Sequence, residues 1–298
     1  MLTVTTHTTE LDFLHDGWSE EYWTKGYTIL RRVFNPSDIQ ALDAAFNRAY
    51  EEGMSHPKTW RHRNRVIWLH EHQQVGKFIT GCQWQSWADP VLDRFRTDPR
   101  MLAILEPLIG DHLNQITNQM HWRVPGTGHS FALHQDVRSR TPAHQFRDLY
   151  HSYAQTGIAV DRHWSGSGAM KFLPYSHLRG NLMGTIGATS EYGTKEVSAR
   201  LDEADRRQLI DVEMEPGDVA VWNPFTVHGG GINTTADNFR RLYINGYVKA
   251  DHCDRGQPVF HHGRPVPLVI PALAQYEDLY VRPDPHYPDD AASKIERD

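Results

Sequence analysis

The run Asp211-Val212-Glu213-Met214-Glu215-Pro216-Gly217-Asp218-Val219-Ala220-Val221-Trp222 alternates acidic and apolar side chains, breaks at Glu215-Pro216-Gly217-Asp218 and resumes as an apolar segment. Proline presets its own φ and glycine accepts a positive one, so the break reads as a turn between two strands. The same grammar extends outward. From about His112 to Val248, short segments with period-two alternation are separated by Pro125-Gly126-Thr127-Gly128, Gly166-Ser167-Gly168 and Gly229-Gly230-Gly231. This spacing predicts an antiparallel sandwich or barrel.

Upstream, the texture is helical with one short strand. Tyr27, Ile29 and Leu30 follow Gly26 as a β element. Asn35 then caps a helix with Pro36 in its first turn, an apolar stripe of Ile39, Leu42 and Phe46, and Gly53 at its close. Asp98 and Pro99 begin a second helix of the same kind, with Met101, Leu102 and Leu105 on one face and Pro107 and Gly110 marking its end. Beyond Lys249 the chain is rich in proline, histidine and charge and reads as an extended covering segment. No repeat or long linker divides the chain. One domain is expected over 1–298, with a helical part over 1–111, a β core over 112–250 and a covering segment over 251–298.

Composition narrows the function. Of 298 residues, 39% are hydrophobic and 23% charged, which describes a globular chain. The charge of 31 basic against 37 acidic residues, −6, supplies no basic field for a nucleic acid or an anionic membrane, so neither is an expected partner. With only Cys82 and Cys253 there is no disulfide framework and no multi-cysteine metal site. No apolar stretch approaches the roughly 20 residues of a membrane span, and the first residues lack a secretory pattern. A reducing, cytoplasmic setting is expected. Nineteen histidines against two cysteines mean that a metal here would be held by imidazole and carboxylate.

The sharpest chemical feature is Leu133-His134-Gln135-Asp136. On a strand, residues two apart share a face, so His134 and Asp136 would stand side by side while Gln135 points away. Taken alone, a His-x-Asp triplet is as compatible with an ordinary strand end. His228, just before three glycines, is the candidate third ligand. Two histidines and one carboxylate occupy one face of a non-heme iron and leave the others open for substrate and oxygen. In Phe239-Arg240-Arg241-Leu242-Tyr243, one arginine is placed to reach the same space and to grip a carboxylate through paired hydrogen bonds. Without the histidines these would read as two surface arginines.

The order His134-x-Asp136, Leu173-Pro174-Tyr175-Ser176-His177, Pro216-Gly217-Asp218, His228 and Arg240 resembles the phytanoyl-CoA dioxygenase family of iron(II)- and 2-oxoglutarate-dependent oxygenases. Gly26-Tyr27-Thr28-Ile29-Leu30-Arg31-Arg32-Val33-Phe34 is similar to that family's opening, so the resemblance covers about residues 20–250. It implies a mainly β fold, a double-stranded β-helix (cupin-like jelly roll) with flanking α-helices. It implies that His134, Asp136 and His228 bind Fe(II), and that Arg240, with Arg241 as the alternative, holds the C5 carboxylate of the cosubstrate 2-oxoglutarate. Gln119 and Met120, on the strand preceding the metal pair, match positions that touch cosubstrate or substrate. One departure stands out: the family turn reads Pro-Gly-Ser-His, whereas here Tyr175 follows Pro174 and the glycine's backbone freedom is lost.

The implied activity is O2-dependent oxidation of an unactivated C–H bond of a small molecule, with release of succinate and CO2. An amino acid or an intermediate of secondary metabolism is the expected substrate. Because Asp136 retains the carboxylate that halogenating relatives replace, hydroxylation is expected over halogenation. Substrate contacts are placed at Arg63, Trp68, His121 and Arg138, and the chain is expected as a monomer or homodimer. Two readings of other classes stand beside this one: a jelly-roll protein that binds a ligand or metal without turnover, and a metal enzyme of the same shape that does not use 2-oxoglutarate. Three local patterns fail on context. His228-Gly229-Gly230-Gly231 lacks a downstream nucleophile elbow, Gly166-Ser167-Gly168 lacks a third glycine, and His70-Glu71-His72 lacks the four-residue histidine spacing of zinc proteases.

Overall fold

The computed structural model describes residues 11–183, 198–272, 274, 282 and 284–288. In chain order its elements are α1 (Trp18–Lys25), β1 (Tyr27–Leu30), α2 (Pro36–Ser55), β2 (Trp60–His62), β3 (Arg65–His72), β4 (Gly76–Gln83), α3 (Pro90–Arg96), α4 (Pro99–Ile109), β5 (Leu113–Arg123) and β6 (Phe131–His134). There follow α5 (Leu149–Ser152), β7 (Tyr153–Ala159), β8 (Met170–Phe172), α6 (Glu203–Arg207), β9 (Ile210–Val212), β10 (Val219–Trp222), β11 (His228–Gly230), β12 (Arg240–Lys249), β13 (Gln257–His261) and β14 (Arg264–Pro265).

All pairings are antiparallel. The larger sheet runs β1-β10-β7-β12-β5-β4-β3-β2, with β13 joined to β5 and β14, and the smaller runs β6-β11-β8-β9. The turn at Glu215–Asp218 passes the chain from one sheet to the other, since β9 and β10 lie in different sheets. Asp218 fixes it by accepting from the backbone N–H of Glu215 at 2.9 Å and of Arg32 at 2.8 Å, and by pairing with Arg31 at 2.8 Å. Gly217 sits at φ +94, where a methyl would collide with the carbonyl oxygen of Phe34. The architecture is the expected jelly roll, mainly β, with helices on the outer face of the larger sheet.

Strand parity sorts two cores. Val219, Val221, Tyr243, Tyr247, Met120 and Trp122 face the helices and pack with Ile39, Leu42 and Phe46 of α2 and Leu105 of α4. Ala220, Trp222, Leu242 and Ile244 face inward and meet Met170, Phe172, Val212 and Met214 across the two sheets. Full burial of each large apolar side chain contributes about 1.5–3 kcal/mol, so the parity is strongly enforced. Helix α2 has the anticipated cap at Asn35, which Asp38 completes as a capping box. It runs two residues past Gly53, whose bare Cα lets it approach Ile67 and Ile79. Gly53 is thus a packing position, and the helix ends at Ser55, where the N–H of His56 donates back to the carbonyl of Gly53.

The residues before 112 contribute more sheet than a helical reading implies: β1 through β4 all join the larger sheet. Tyr175 adopts φ 63, the left-handed conformation that glycine accepts most readily. Its N–H donates to the carbonyl of Lys25 at 2.9 Å.

Candidate metal centre

Strand β6 ends at His134, and the register of the smaller sheet places His228, the first residue of β11, directly opposite. Asp136 is not on the strand. It opens a single 3-10 turn, Asp136–Ser139, because the backbone leaves the sheet after Gln135. The carboxylate still returns to the same side. Its Oδ1 lies 3.8 Å from His134 Nε2 and its Oδ2 3.6 Å from His228 Nε2, and ligand atoms of all three residues fall within 4.8 Å of one another. Gln135 points away as its parity requires. Its side-chain amide accepts from the N–H of Leu182 at 2.6 Å and donates to the carbonyl of Gly180 at 2.8 Å.

The tautomers are set by the backbone. His134 Nδ1 bonds the carbonyl of Ala132 at 2.8 Å, and His228 Nδ1 that of Thr226 at 2.9 Å, so both Nδ1 atoms donate and both Nε2 lone pairs turn toward Asp136. Burial, aided by Arg138, holds the His134 pKa well below the ordinary histidine range. Burial also lowers that of His228, against the opposing pull of Asp136. Trp222 Nε1 donates to Asp136 Oδ2 at 2.9 Å and orients the carboxylate. Two neutral imidazoles and an oriented carboxylate, buried together, are a complete donor set for a divalent ion on one face. Ser176 Oγ supports this geometry by accepting from the N–H of Val227, one residue before His228, at 2.8 Å.

A cavity opens from the triad into the space between the sheets. Gln119, His121 and Arg123 of β5 line it, as do Phe131, Gln155 and Arg240. Arg240 is 1% exposed, with Nε and one terminal nitrogen donating to the carbonyl of Gly168 at 3.0 and 2.6 Å. Burial first, and the neighbouring Arg123 second, pull its pKa well below the usual value for arginine. Arg241 lies on the opposite face of β12 and pairs with Asp161 at 2.7 Å and Asp43 at 2.6 Å. Of the two arginines, only Arg240 faces the cavity.

Other expected contacts separate in the same way. Gln119 and His121 line the cavity, their side chains 3.1 Å apart. Met120 does not: the parity of β5 turns it into the helix-side core, which corrects its placement as a cosubstrate contact. Trp68 lies on β3 with its ring against Gly81, and Arg63 is an exposed turn residue at φ 54 between β2 and β3. Neither is among the residues lining the cavity. Arg138 stands beside it, its guanidinium 5.9 Å from the centre of the Phe131 ring. Arg123, Phe131, Gln155 and Trp222 went unmarked in the sequence. Arg123 alone carried a usable signal, two residues beyond His121 on one strand face.

The three glycines after His228 take their meaning from these neighbours. A methyl on Gly229 would lie 2.7 Å from the carbonyl oxygen of Phe131, and one on Gly230 would lie 2.8 Å from Arg123 and 3.3 Å from Arg240. Gly231 passes close to Gly168, the residue whose carbonyl holds Arg240.

The sequence matches the family described as phytanoyl-CoA dioxygenase (PhyH) over residues 22–242. A probable phytanoyl-CoA dioxygenase of Caenorhabditis elegans is 24% identical over 242 residues, 78% of this chain and 74% of that protein. Among solved structures, EctD from S. alaskensis with 2-oxoglutarate and 5-hydroxyectoine aligns with TM-score 0.62 at 16% identity, over 86% of this chain and 89% of its own. The epimerase SnoN in complex with Fe3+, alpha ketoglutarate and nogalamycin RO aligns with TM-score 0.57 at 17% identity, over 83% of this chain and 95% of its own. At such identities the structural likeness speaks for the fold.

Proposed function

This chain belongs to the phytanoyl-CoA dioxygenase family, and from that premise we propose that it is an iron(II)- and 2-oxoglutarate-dependent dioxygenase acting on a small molecule. The observation that carries the reading is the convergence of His134, Asp136 and His228 on one point of a cavity whose wall also holds Arg240. Bound iron with 2-oxoglutarate and O2 supplies the oxidising power for C–H cleavage, with succinate and CO2 as coproducts.

The protein's own groups do the rest. His134 Nε2, His228 Nε2 and an Asp136 oxygen would hold the ion, with the carboxylate oriented by the Trp222 N–H on Oδ2. Arg240 grips the remote carboxylate of the cosubstrate, and Gln119 and His121 border the space left for substrate. Leu242, Ile244 and Phe131 give that space apolar walls that exclude water around the reacting carbon. The substrate in this reading is an amino acid or an intermediate of secondary metabolism, held where polar Gln119 and His121 meet the apolar wall. Asp136 leaves no vacant position for a halide, so the reaction we assign is hydroxylation or another oxidation at the C–H bond and not halogenation. Among the described residues no helix is long and apolar enough to cross a membrane.

Anaerobic protein with iron(II) and 2-oxoglutarate should develop the weak visible absorption of a chelated 2-oxo acid, and should form succinate once air is admitted. Absence of both signals in folded, iron-loaded protein would overturn the assignment.

A further inference from the structure

Among the described residues, a second group of three donor side chains brings its ligand atoms within 4.8 Å: His112, His261 and His262. His112 lies between the end of α4 and the start of β5, and the other two close the β13–β14 hairpin. Ring centres are 4.7 Å apart for His112 and His262, 4.8 Å for His112 and His261, and 4.7 Å for His261 and His262. Gln119, on the cavity wall, is six residues further along β5 than Leu113, so this cluster is roughly 20 Å from the triad's cavity at 3.3 Å per strand residue.

We propose that these three histidines form a second metal site, which takes a borderline divalent transition ion such as zinc and fastens the β13–β14 hairpin to the α4–β5 junction. The first argument is backbone chemistry. His261 pairs with Arg264, leaving a two-residue loop of His262 at φ 47 and Gly263 at φ 76. Two successive positive φ values define a type I′ turn, whose first position favours Asn, Asp or Gly. A histidine there accepts an unfavourable conformation, and its side chain is delivered onto the ring of His112. The second argument is an unmet polar atom: His112 Nδ1 is buried and has no hydrogen-bond partner. The third is reach. Three atoms no more than 4.8 Å apart lie within about 2.8 Å of a common centre, so each would close by at most roughly 0.7 Å to meet the 2.0–2.1 Å of a zinc–imidazole bond. His261 and His262 are exposed and free to make that adjustment. Imidazole ligands select zinc, copper or nickel over magnesium or calcium. The Gly263 N–H already donates to the carbonyl of Asp111 at 3.0 Å, so the ion would lock a contact the fold has begun.

The test uses the full chain, stripped with a chelator and titrated with Zn2+ against a chromogenic competitor. Wild type should take up two equivalents. His262→Asn, which keeps the turn, should take up one, with the lost site weakened at least ten-fold. In a His134→Ala/His228→Ala chain, where only the surface cluster remains, Zn2+ should raise the melting temperature, and adding His262→Asn should remove that rise. A single equivalent in wild type, two in His262→Asn, or a rise that survives the added substitution would overturn the proposal.

Discussion

His134 and His228 are direct cross-strand partners, their ring centres 4.3 Å apart, although 94 positions separate them in the chain. Because side chains alternate along a strand, a slip of one residue in the pairing of β6 with β11 would turn one imidazole out of the site. The metal centre is therefore a consequence of strand register, and register is what Ser176, through its bond to Val227, helps to hold.

Removing a ligand and removing its support should differ in degree. His134→Ala or Asp136→Ala should abolish turnover and leave purified protein without stoichiometric iron. Trp222→Phe keeps an aromatic ring in the core but removes the indole N–H on Asp136 Oδ2, along with some buried volume. Iron affinity should then fall by roughly 10- to 100-fold, the usual cost of losing an outer partner of a metal ligand. Iron titration of the apo protein decides this, and an unchanged affinity would show that Asp136 is oriented by other means.

The adjacent arginines should separate cleanly. Arg240→Ala should raise the 2-oxoglutarate concentration needed for half-maximal succinate formation by roughly 10- to 100-fold, the worth of hydrogen bonds to a charged group. Arg241→Ala should leave that requirement alone. It breaks the pairs with Asp161 and Asp43 and should cost roughly 1–3 kcal/mol of stability. Cosubstrate titrations with urea melts on both variants check the pair, and the reverse pattern would move the cosubstrate role to Arg241.

Acid should weaken the metal-free protein. Burial holds His121, His134 and His163 well below the ordinary histidine range and lowers His177 and His228 too. Since these folded-state values lie beneath the unfolded value near 6.5, the unfolded chain takes up protons first as pH falls. Stability should be intact above about pH 6.5 and decline through the window below it. Urea midpoints measured at falling pH should drop; a flat profile would mean that these imidazoles are hydrated in the folded state.

Two turn positions make opposite demands. Gly217→Ala would place a methyl against the Phe34 carbonyl at φ +94 and should cost roughly 1–3 kcal/mol. Tyr175→Gly relieves a left-handed residue and should leave stability unchanged or raise it by up to about 1 kcal/mol. Thermal melts of both variants provide the comparison, and a marked loss in Tyr175→Gly would show that the ring is held by contacts that outweigh its backbone.

What could be read from the sequence was what depends on neighbours in the chain. His134-x-Asp136, the tri-glycine run after His228 and the capped starts of α2 and α4 are local patterns; the caps lie as expected, whereas Asp136 falls in a turn and Gly229 and Gly230 belong to strand β11 and not to a break. The choice between Gln119 and Met120 needed the parity of β5 to a single residue, which no short motif supplies. Arg123 and Arg240 are partners across β5 and β12, a pairing set by the sheet and not by either strand. Strands β2 to β4 hid among helices because they are stabilised through pairing with β5 and with one another, so their own composition says little. Asp136 lies in a turn, yet reaches the point a strand residue would have reached.

Gly229 and Gly230 look in a sequence like part of a flexible hinge, but a side chain on either would intrude on the Phe131 carbonyl or on Arg123. His228 begins that segment, and Gly230, two residues along, leaves its open side to the guanidinium groups of Arg123 and Arg240. A side chain at Gly230 would push those two groups aside, so where the cavity carries its positive charge is decided by a residue that has no side chain of its own.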